Sequence, residues 1–419
     1  MKKLLINDKV EVNCYPEYAF IFSLLRSSGD SWVMNNFIQT KLIPEWEYFI
    51  AYKDHEELLD KCPFLTIGKQ PICDLANNNI DIIDYINDLI ERNVCSFLYL
   101  DRFYVKSSPE FARIHYIHNT FVVGNDVDKK IIYLADNFQE GKYSIIECSF
   151  DDFRSAFYQN REWLIRTEVL DKEYNDELIP YVANMIDRNG KAFAYLDRMY
   201  VKGLKTHYQF AHDIEIIQYN HKRKKFKIVS NYYKRRKIVN CSYDEMKNAY
   251  RKDPKQASDG NVQLIQKHSL QTDVPIDPAK ILRDLEDYVH PQTATAVVDG
   301  YNYYYGLPAI EEVIKFLEKG NKYRYRLFHF MYEHKMLMEK RVNQLMQLGI
   351  MESDDTLMRR FSELSKKYRE LRNKAVKISL LKTESKERLD ENLKELKNEE
   401  ENCILSLIES LKKAQTFHD

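Results

Sequence analysis

The chain repeats itself, and the repeat limits its fold more than any bulk property does. Residues 99–106 read YLDRFYVK and residues 195–202 read YLDRMYVK. The likeness extends to IDYINDLIERN (83–93) against IPYVANMIDRN (179–189), and to ECSFDDFRSAFYQ (147–159) against NCSYDEMKNAYRK (240–252). The unit reads as a helix, a strand of alternating character (FLYLDRFYV), a loop, a strand starting at a histidine, a hairpin, a further strand and a short helix. Hairpins with period-two patterning predict an antiparallel sheet with helices packed on it. Two copies predict one larger sheet or a pseudo-twofold pair. His118 falls opposite His212, and Asp136 falls opposite Ser230, one residue before Asn231.

Residues 1–80 have no second copy. A short strand (LLIND, then VEV) leads into Asn13-Cys14-Tyr15-Pro16-Glu17 and the apolar run AFIFSLLR. Proline in a first turn with glutamate beside it starts a helix, so Cys14 is expected at or near a helix N-terminus. After about residue 260 the character changes. DPKQASDGNV reads as a surface link, 276–350 as helices with Gly306-Leu307-Pro308 opening one of them, and 353–381 and 384–414 as long charged amphipathic helices with Ser385-Lys386-Glu387-Arg388 near a cap. The last two are expected to form an antiparallel hairpin against the body or against a second copy of the chain, so a homo-oligomer stays open. A length of 419 residues suits two or three domains. The division expected is 1–165 as a region holding the chemistry, 166–260 as a catalytically silent second repeat that completes the sheet or lines a substrate groove, and 261–419 as a helical region.

Composition removes several function classes. Hydrophobic residues make up 44% and charged residues 30%, enough for a packed core. The net charge of −1 offers no basic surplus for nucleic acid, and the runs Lys222–Lys225 and Lys234–Lys237 are short enough to decorate a hairpin. The N-terminus lacks the apolar core of a signal peptide, and no run of about 18 apolar residues suggests a membrane span. Seven scattered cysteines (14, 62, 73, 95, 148, 241 and 403) without a CxxC pair argue for reduced thiols in a bacterial cytoplasm and against a structural metal site. With eleven glycines and no glycine-rich phosphate loop, no nucleotide cofactor is expected.

Chemistry is expected at Cys14, His118 and Asp136. Unpaired N–H groups and positive partial charge at a helix start favour thiolate over thiol and can receive an oxyanion, although a cysteine there can equally be a small core residue. His118 opens a strand (TFVVG), a polar turn (NDVDKK) and a returning strand (IIYLAD) that ends at Asp136. A tight hairpin brings the start of one strand beside the end of the next, where a carboxylate can hold one imidazole nitrogen and leave the other for the thiol. Other candidates carry less. His115 points away from His118 on an extended segment, His207 and His212 are too loosely spaced for a ligand set, and Tyr301, Tyr303, Tyr304 and Tyr305 read as packing at a helix opening. A second site built from His212 and Cys241 is a minor rival.

A cysteine at an early helix, then a histidine at a strand start, then an acid at the end of the next strand resembles the papain-like cysteine enzymes. The likeness is to their bacteriocin-peptidase-like branch and to the acyltransferases of butirosin and closthioamide biosynthesis. It covers most of 1–260 as layout and, more weakly, 300–350, where Gly306-Leu307-Pro308-Ala309-Ile310 is similar to the C-terminal part of those acyltransferases. The resemblance implies an α+β fold, a papain-like antiparallel sheet with packed helices. It implies Cys14 as nucleophile, His118 as base and Asp136 as the orienting acid. The family places a glutamine shortly before the cysteine. Here Asp8 stands there, which leaves Asn7 or Asn13, with the Cys14 N–H, for the oxyanion. The implied reaction is amide formation. An acyl or peptidyl chain leaves the phosphopantetheine thioester of an acyl carrier protein, rests on Cys14, and passes to a small amine or diamine in nonribosomal antibiotic biosynthesis. No cofactor is implied beyond the one the carrier brings. Lys366-Lys367-Tyr368-Arg369 could meet the acidic carrier, or could be a solvated helix face. Hydrolysis by a cytoplasmic peptidase or thioesterase, and a non-catalytic scaffold, are the alternatives.

Overall fold

A computed structural model describes residues 2–3, 10–25, 30–46, 48–58, 60–71, 75, 78–139, 142–157, 178–189, 192–204, 211–232, 235–251, 261–267, 274–298, 301–320, 323, 325–381 and 388–416. The strands in chain order are β1 (Lys2–Lys3), β2 (Thr40–Ile43), β3 (Phe49–Tyr52), β4 (Leu65–Pro71), β5 (Val94–Asp101), β6 (Ile117–Asp126), β7 (Ile131–Gln139) and β8 (Lys142–Ser149). They continue with β9 (Ala192–Asp197), β10 (Ala211–Asn220), β11 (Lys225–Tyr232), β12 (Arg235–Ser242), β13 (Tyr250–Arg251), β14 (Asn261–Lys267), β15 (Thr295–Val298) and β16 (Tyr301–Tyr305). The helices are α1 (Pro16–Leu25), α2 (Asp30–Asn35), α3 (Ile82–Glu91), α4 (150–157), α5 (Leu178–Asn189) and α6 (Tyr243–Ala249). After them come α7 (Pro278–Val289), α8 (Gly306–Glu318), α9 (Tyr325–Gln347), α10 (Asp355–Leu381) and α11 (Leu389–Thr416). The fold is mixed α and β with antiparallel sheets. No helix among the described residues is long and apolar enough to cross a membrane.

Two compact units divide the chain, and neither is continuous in sequence. One takes residues 1–24 and 59–269, the other 25–58 and 270–419. These cut across the three segments drawn from the sequence, because strand pairing ignores chain order. β14, which follows the second repeat, inserts between β4 and β5 in the order β4-β14-β5-β6-β7-β8, while β1 pairs with the far end of β6.

In the first unit each repeat builds a sheet of its own. The second copy forms β12-β11-β10-β9-β13 and does not extend the sheet of the first. The registers coincide residue for residue. Leu100 pairs with His118 as Leu196 pairs with His212. Phe121 pairs with Ala135 as Glu215 pairs with Val229. A bulge follows Val122 in one copy and Ile216 in the other, so even the irregularity is repeated. Both copies close with a helix capped by the last serine of the preceding strand. Ser149 accepts from the Asp152 N–H, and Ser242 accepts from the Glu245 N–H within a capping box. The basic run Lys222–Lys225 falls at the turn between β10 and β11.

α1 is apolar on most of its sides, and only Glu17 and Phe22 are part-exposed. Tyr18, Ala19, Phe20 and Ile21 are fully buried. Phe20 stacks on Phe121 of β6, which stacks in turn on Phe97 of β5. At the far end of the helix, the Tyr143 hydroxyl of β8 reaches Ser23 Oγ at 3.5 Å. The helix thus lies across the sheet that carries His118.

The second unit combines the sheet β15-β16-β2-β3 with α2 and α7–α11. Its strands correct the helical reading of 276–350. Tyr301, Tyr303, Tyr304 and Tyr305 stand on β16, not at a helix opening, and the helix begins at Gly306. Alternating tyrosines suit a pleated, half-buried surface. Gly306 has φ +60, and a Cβ there would lie 2.2 Å from the Tyr288 carbonyl, so the turn from strand to helix needs glycine. The last two helices run antiparallel, with Arg360 bonded to Ser406 and Lys367 to Glu399. A polar cluster is buried where α7, α9, α10 and α11 meet. Lys335 is paired with Glu400, whose carboxylate also accepts from Tyr288 (2.6 Å) and Tyr368 (2.7 Å). His334 Nε2 lies 2.8 Å from the Ile38 carbonyl and Nδ1 lies 2.8 Å from Lys335 Nζ. Burial, then the lysine, hold His334 well below the ordinary histidine range, so its neutral ring donates to Ile38 and accepts from Lys335. Such a cluster fixes the mutual register of the helices it joins.

Candidate active site

The repeated motif YLDR explains why an arginine is buried beside the site. β5 ends at Asp101, whose carboxylate accepts from the Phe103 and Tyr116 N–H groups at 3.1 Å and lies 2.7 Å from His115 Nδ1. That cap starts a single helical turn, Arg102–Tyr104. The turn carries Arg102 inward, where it is 4% exposed and lies over the rings of Phe138 and Tyr116. The second copy repeats the device, with Asp197 accepting from the Met199 N–H and Arg198 buried.

His118 and Asp136 meet as the hairpin argument expects. The paired register of β6 and β7 runs from Asp126↔Ile131 to Phe121↔Ala135, and the two residues lie just past its end. His118 Nδ1 is 2.9 Å from Asp136 Oδ2 and 2.8 Å from the Asn119 carbonyl. Two acceptors at that nitrogen place the proton on Nδ1 and leave the Nε2 lone pair for another group. Asp136 is fully buried, whereas the His118 side chain is 31% exposed. The pair therefore joins a sealed carboxylate to an imidazole that solvent or substrate can reach.

Arg102 is the member that sequence reasoning missed. Its Nη2 donates to Asp136 Oδ2, and it lies 3.1 Å from His118 Nδ1. A guanidinium only donates, and so does a protonated Nδ1, so the close approach is of two donors converging on one carboxylate oxygen. Burial alone would raise the Asp136 pKa. The charge and hydrogen bond of His118, the charge of Arg102 and the Asn137 N–H outweigh burial and hold the carboxyl below its ordinary value. The signal available in the sequence was the repetition of YLDR itself, which marks a buried, structured arginine but not its partner.

Cys14 occupies the bend just before α1, whose first backbone bond runs from the Ala19 N–H to the Tyr15 carbonyl. It is 2% exposed. The residue before it is tied to the residue after Asp136, since Asn137 Nδ2 donates to the Asn13 carbonyl at 3.2 Å. α1 thus begins at the sheet end where β6 starts and β7 finishes. Asn13, named as an oxyanion donor, has its carbonyl engaged by that bond. Asn7, Cys73 and His207 lie outside the described residues.

Four of the other cysteines are poor nucleophiles. Burial pushes the thiols of Cys95 and Cys241 up to about 12 and raises those of Cys148 and Cys403. A fully buried Cys241 argues against the rival site with His212. Within Lys366–Arg369, Lys367 is paired with Glu399 and Tyr368 is buried against Glu400, while Lys366 and Arg369 are exposed.

No protein-family model and no curated protein matches the chain.

Proposed function

We propose that the protein is a cysteine-dependent acyltransferase that forms an amide. Supporting it most is the buried Asp136, which fixes His118 through Nδ1 at the sheet end where the segment carrying Cys14 is tied down by Asn137. In this reading His118 Nε2 takes the proton from the Cys14 thiol as sulfur attacks a thioester carbonyl. The carbon–sulfur bond of the donor breaks, its thiolate takes the proton from His118, and the acyl group rests on Cys14. An amine then attacks, gives a proton to His118 and expels the Cys14 thiolate as the amide forms. Exchange of one thioester for another is nearly isoenergetic, so the loading step calls for no ATP.

The donor in this reading is an acyl or peptidyl carrier protein, and the acceptor is a small amine or diamine, as in the papain-like acyltransferases of antibiotic biosynthesis. Mixing the protein with an acyl-loaded carrier and weighing it intact tests the reading. An acyl adduct on the wild type that is missing from Cys14→Ala supports it. Full activity in a folded Cys14→Ala variant ends it. Release of acid instead of amide at millimolar amine would make the protein a thioesterase or peptidase.

A further inference from the structure

Resting on the acyltransferase reading, we propose that Asn119 and Asn137 form an acceptor pair that holds the two N–H groups of a primary amine beside the acyl–Cys14 intermediate. The residues stand next to His118 and Asp136, one on β6 and one on β7. Carried two positions past Phe121↔Ala135, the register sets Asn119 across from Asn137. The side-chain carbonyl oxygens of both are buried and accept no hydrogen bond among the described residues. A buried acceptor left without a donor costs about 1–3 kcal/mol, so two such oxygens side by side are suited to donors that a bound molecule brings. For Asn137 the amide orientation is fixed, because Nδ2 is committed to the Asn13 carbonyl and Oδ1 must be the idle atom. That same bond places it one residue from Cys14.

The chemistry that satisfies two carbonyl acceptors is a group with two N–H donors and a lone pair to spare. A primary amine held through both hydrogens points its lone pair elsewhere, toward the thioester carbon. As the nitrogen–carbon bond forms and the carbon–sulfur bond breaks, the nitrogen gains positive charge, which the two oxygens stabilise until the nitrogen gives up a proton. A secondary amine offers one N–H and leaves one acceptor unmet. The pair therefore selects primary over secondary amines.

The test loads the full chain with S-phenyl thioacetate, an activated acyl donor, and then chases with butylamine or N-methylbutylamine. Intact mass reads acetylation of Cys14, and chromatography reads the amide. Acetylation is expected to be equal in wild type, Asn119→Ala and Asn119→Asp. Amide formation from butylamine is expected to fall roughly tenfold in Asn119→Ala, the loss of about one hydrogen bond. It should fall less with N-methylbutylamine and be restored in Asn119→Asp, which keeps an oxygen in place. Normal acetylation of Cys14 with an unchanged preference between the two amines overturns the acceptor pair alone. Absence of acetylation at Cys14 in the folded wild type overturns the acyltransferase reading, and the acceptor role falls with it.

Discussion

The two copies of the repeat share a backbone and differ in what that backbone holds. Both end a strand at an Asp–Arg turn, pair leucine with histidine at the next strand and bulge at the same step. Two of their differences matter most here. Where the first copy has Phe121, stacked under Phe20 of α1, the second has Glu215. Where the first has the buried Asp136, the second has Ser230. The first difference tracks the helix, because residues 1–80 have no second copy to cover that face. The second removes the acid that would orient a histidine. The two copies thus share their folding instructions, and the first alone pairs its histidine with a buried acid.

Kinetics give the sharpest way to break this comparison. Cys14→Ala or His118→Ala is expected to lower acyl transfer by about a thousandfold or more, while His212→Ala leaves the rate unchanged. Equal losses from the two histidine variants would place a working site in both copies. Labelling with iodoacetamide at neutral pH, read by peptide mass, is expected to favour Cys14 over Cys95 and Cys241, whose thiols burial lifts to about 12.

Exchanging the residues beneath the helix comes next. Phe121→Glu buries a charge under Phe20 and should destabilise the protein by about 4 kcal/mol or more in urea unfolding, whereas Glu215→Phe should be close to neutral. A mild effect of Phe121→Glu would mean that the stack does not seat α1. Asp136→Ser gives the first copy the residue of the second. It strands Arg102 and is expected to cost about 3 kcal/mol, much of which Arg102→Met should restore in the double variant. If the two changes add without rescue, Arg102 and Asp136 are not a coupled pair.

Acid titration separates the copies more gently. The folded Asp136 carboxyl lies below its unfolded value, so its contribution to stability is complete above the unfolded pKa and is lost as pH falls through the folded one. Unfolding free energy should therefore drop on acidification below about pH 4, and Asp136→Asn should flatten that slope. An unchanged slope would deny the stabilised carboxylate. The smallest effect belongs to what the copies share. Ser149→Ala and Ser242→Ala should each cost about 1 kcal/mol through a lost helix cap, with no change in activity.

The sequence by itself determined the repeat, the position of Cys14 just before an apolar helix, and the hairpin that joins His118 to Asp136. These rest on periodicity and on contacts close along the chain, which local patterning encodes. Tertiary structure alone decided the rest. Arg102 reaches Asp136 only because a one-turn cap throws it inward from a different strand. β14 enters between β4 and β5 from beyond the second repeat, and residues 25–58 leave the site-bearing unit to join the C-terminal helices. Lys335 finds Glu400 across two helices. A charged residue in a helix pattern reads as solvated until a partner distant in the chain is placed against it, and strand order depends on edges that no local pattern names.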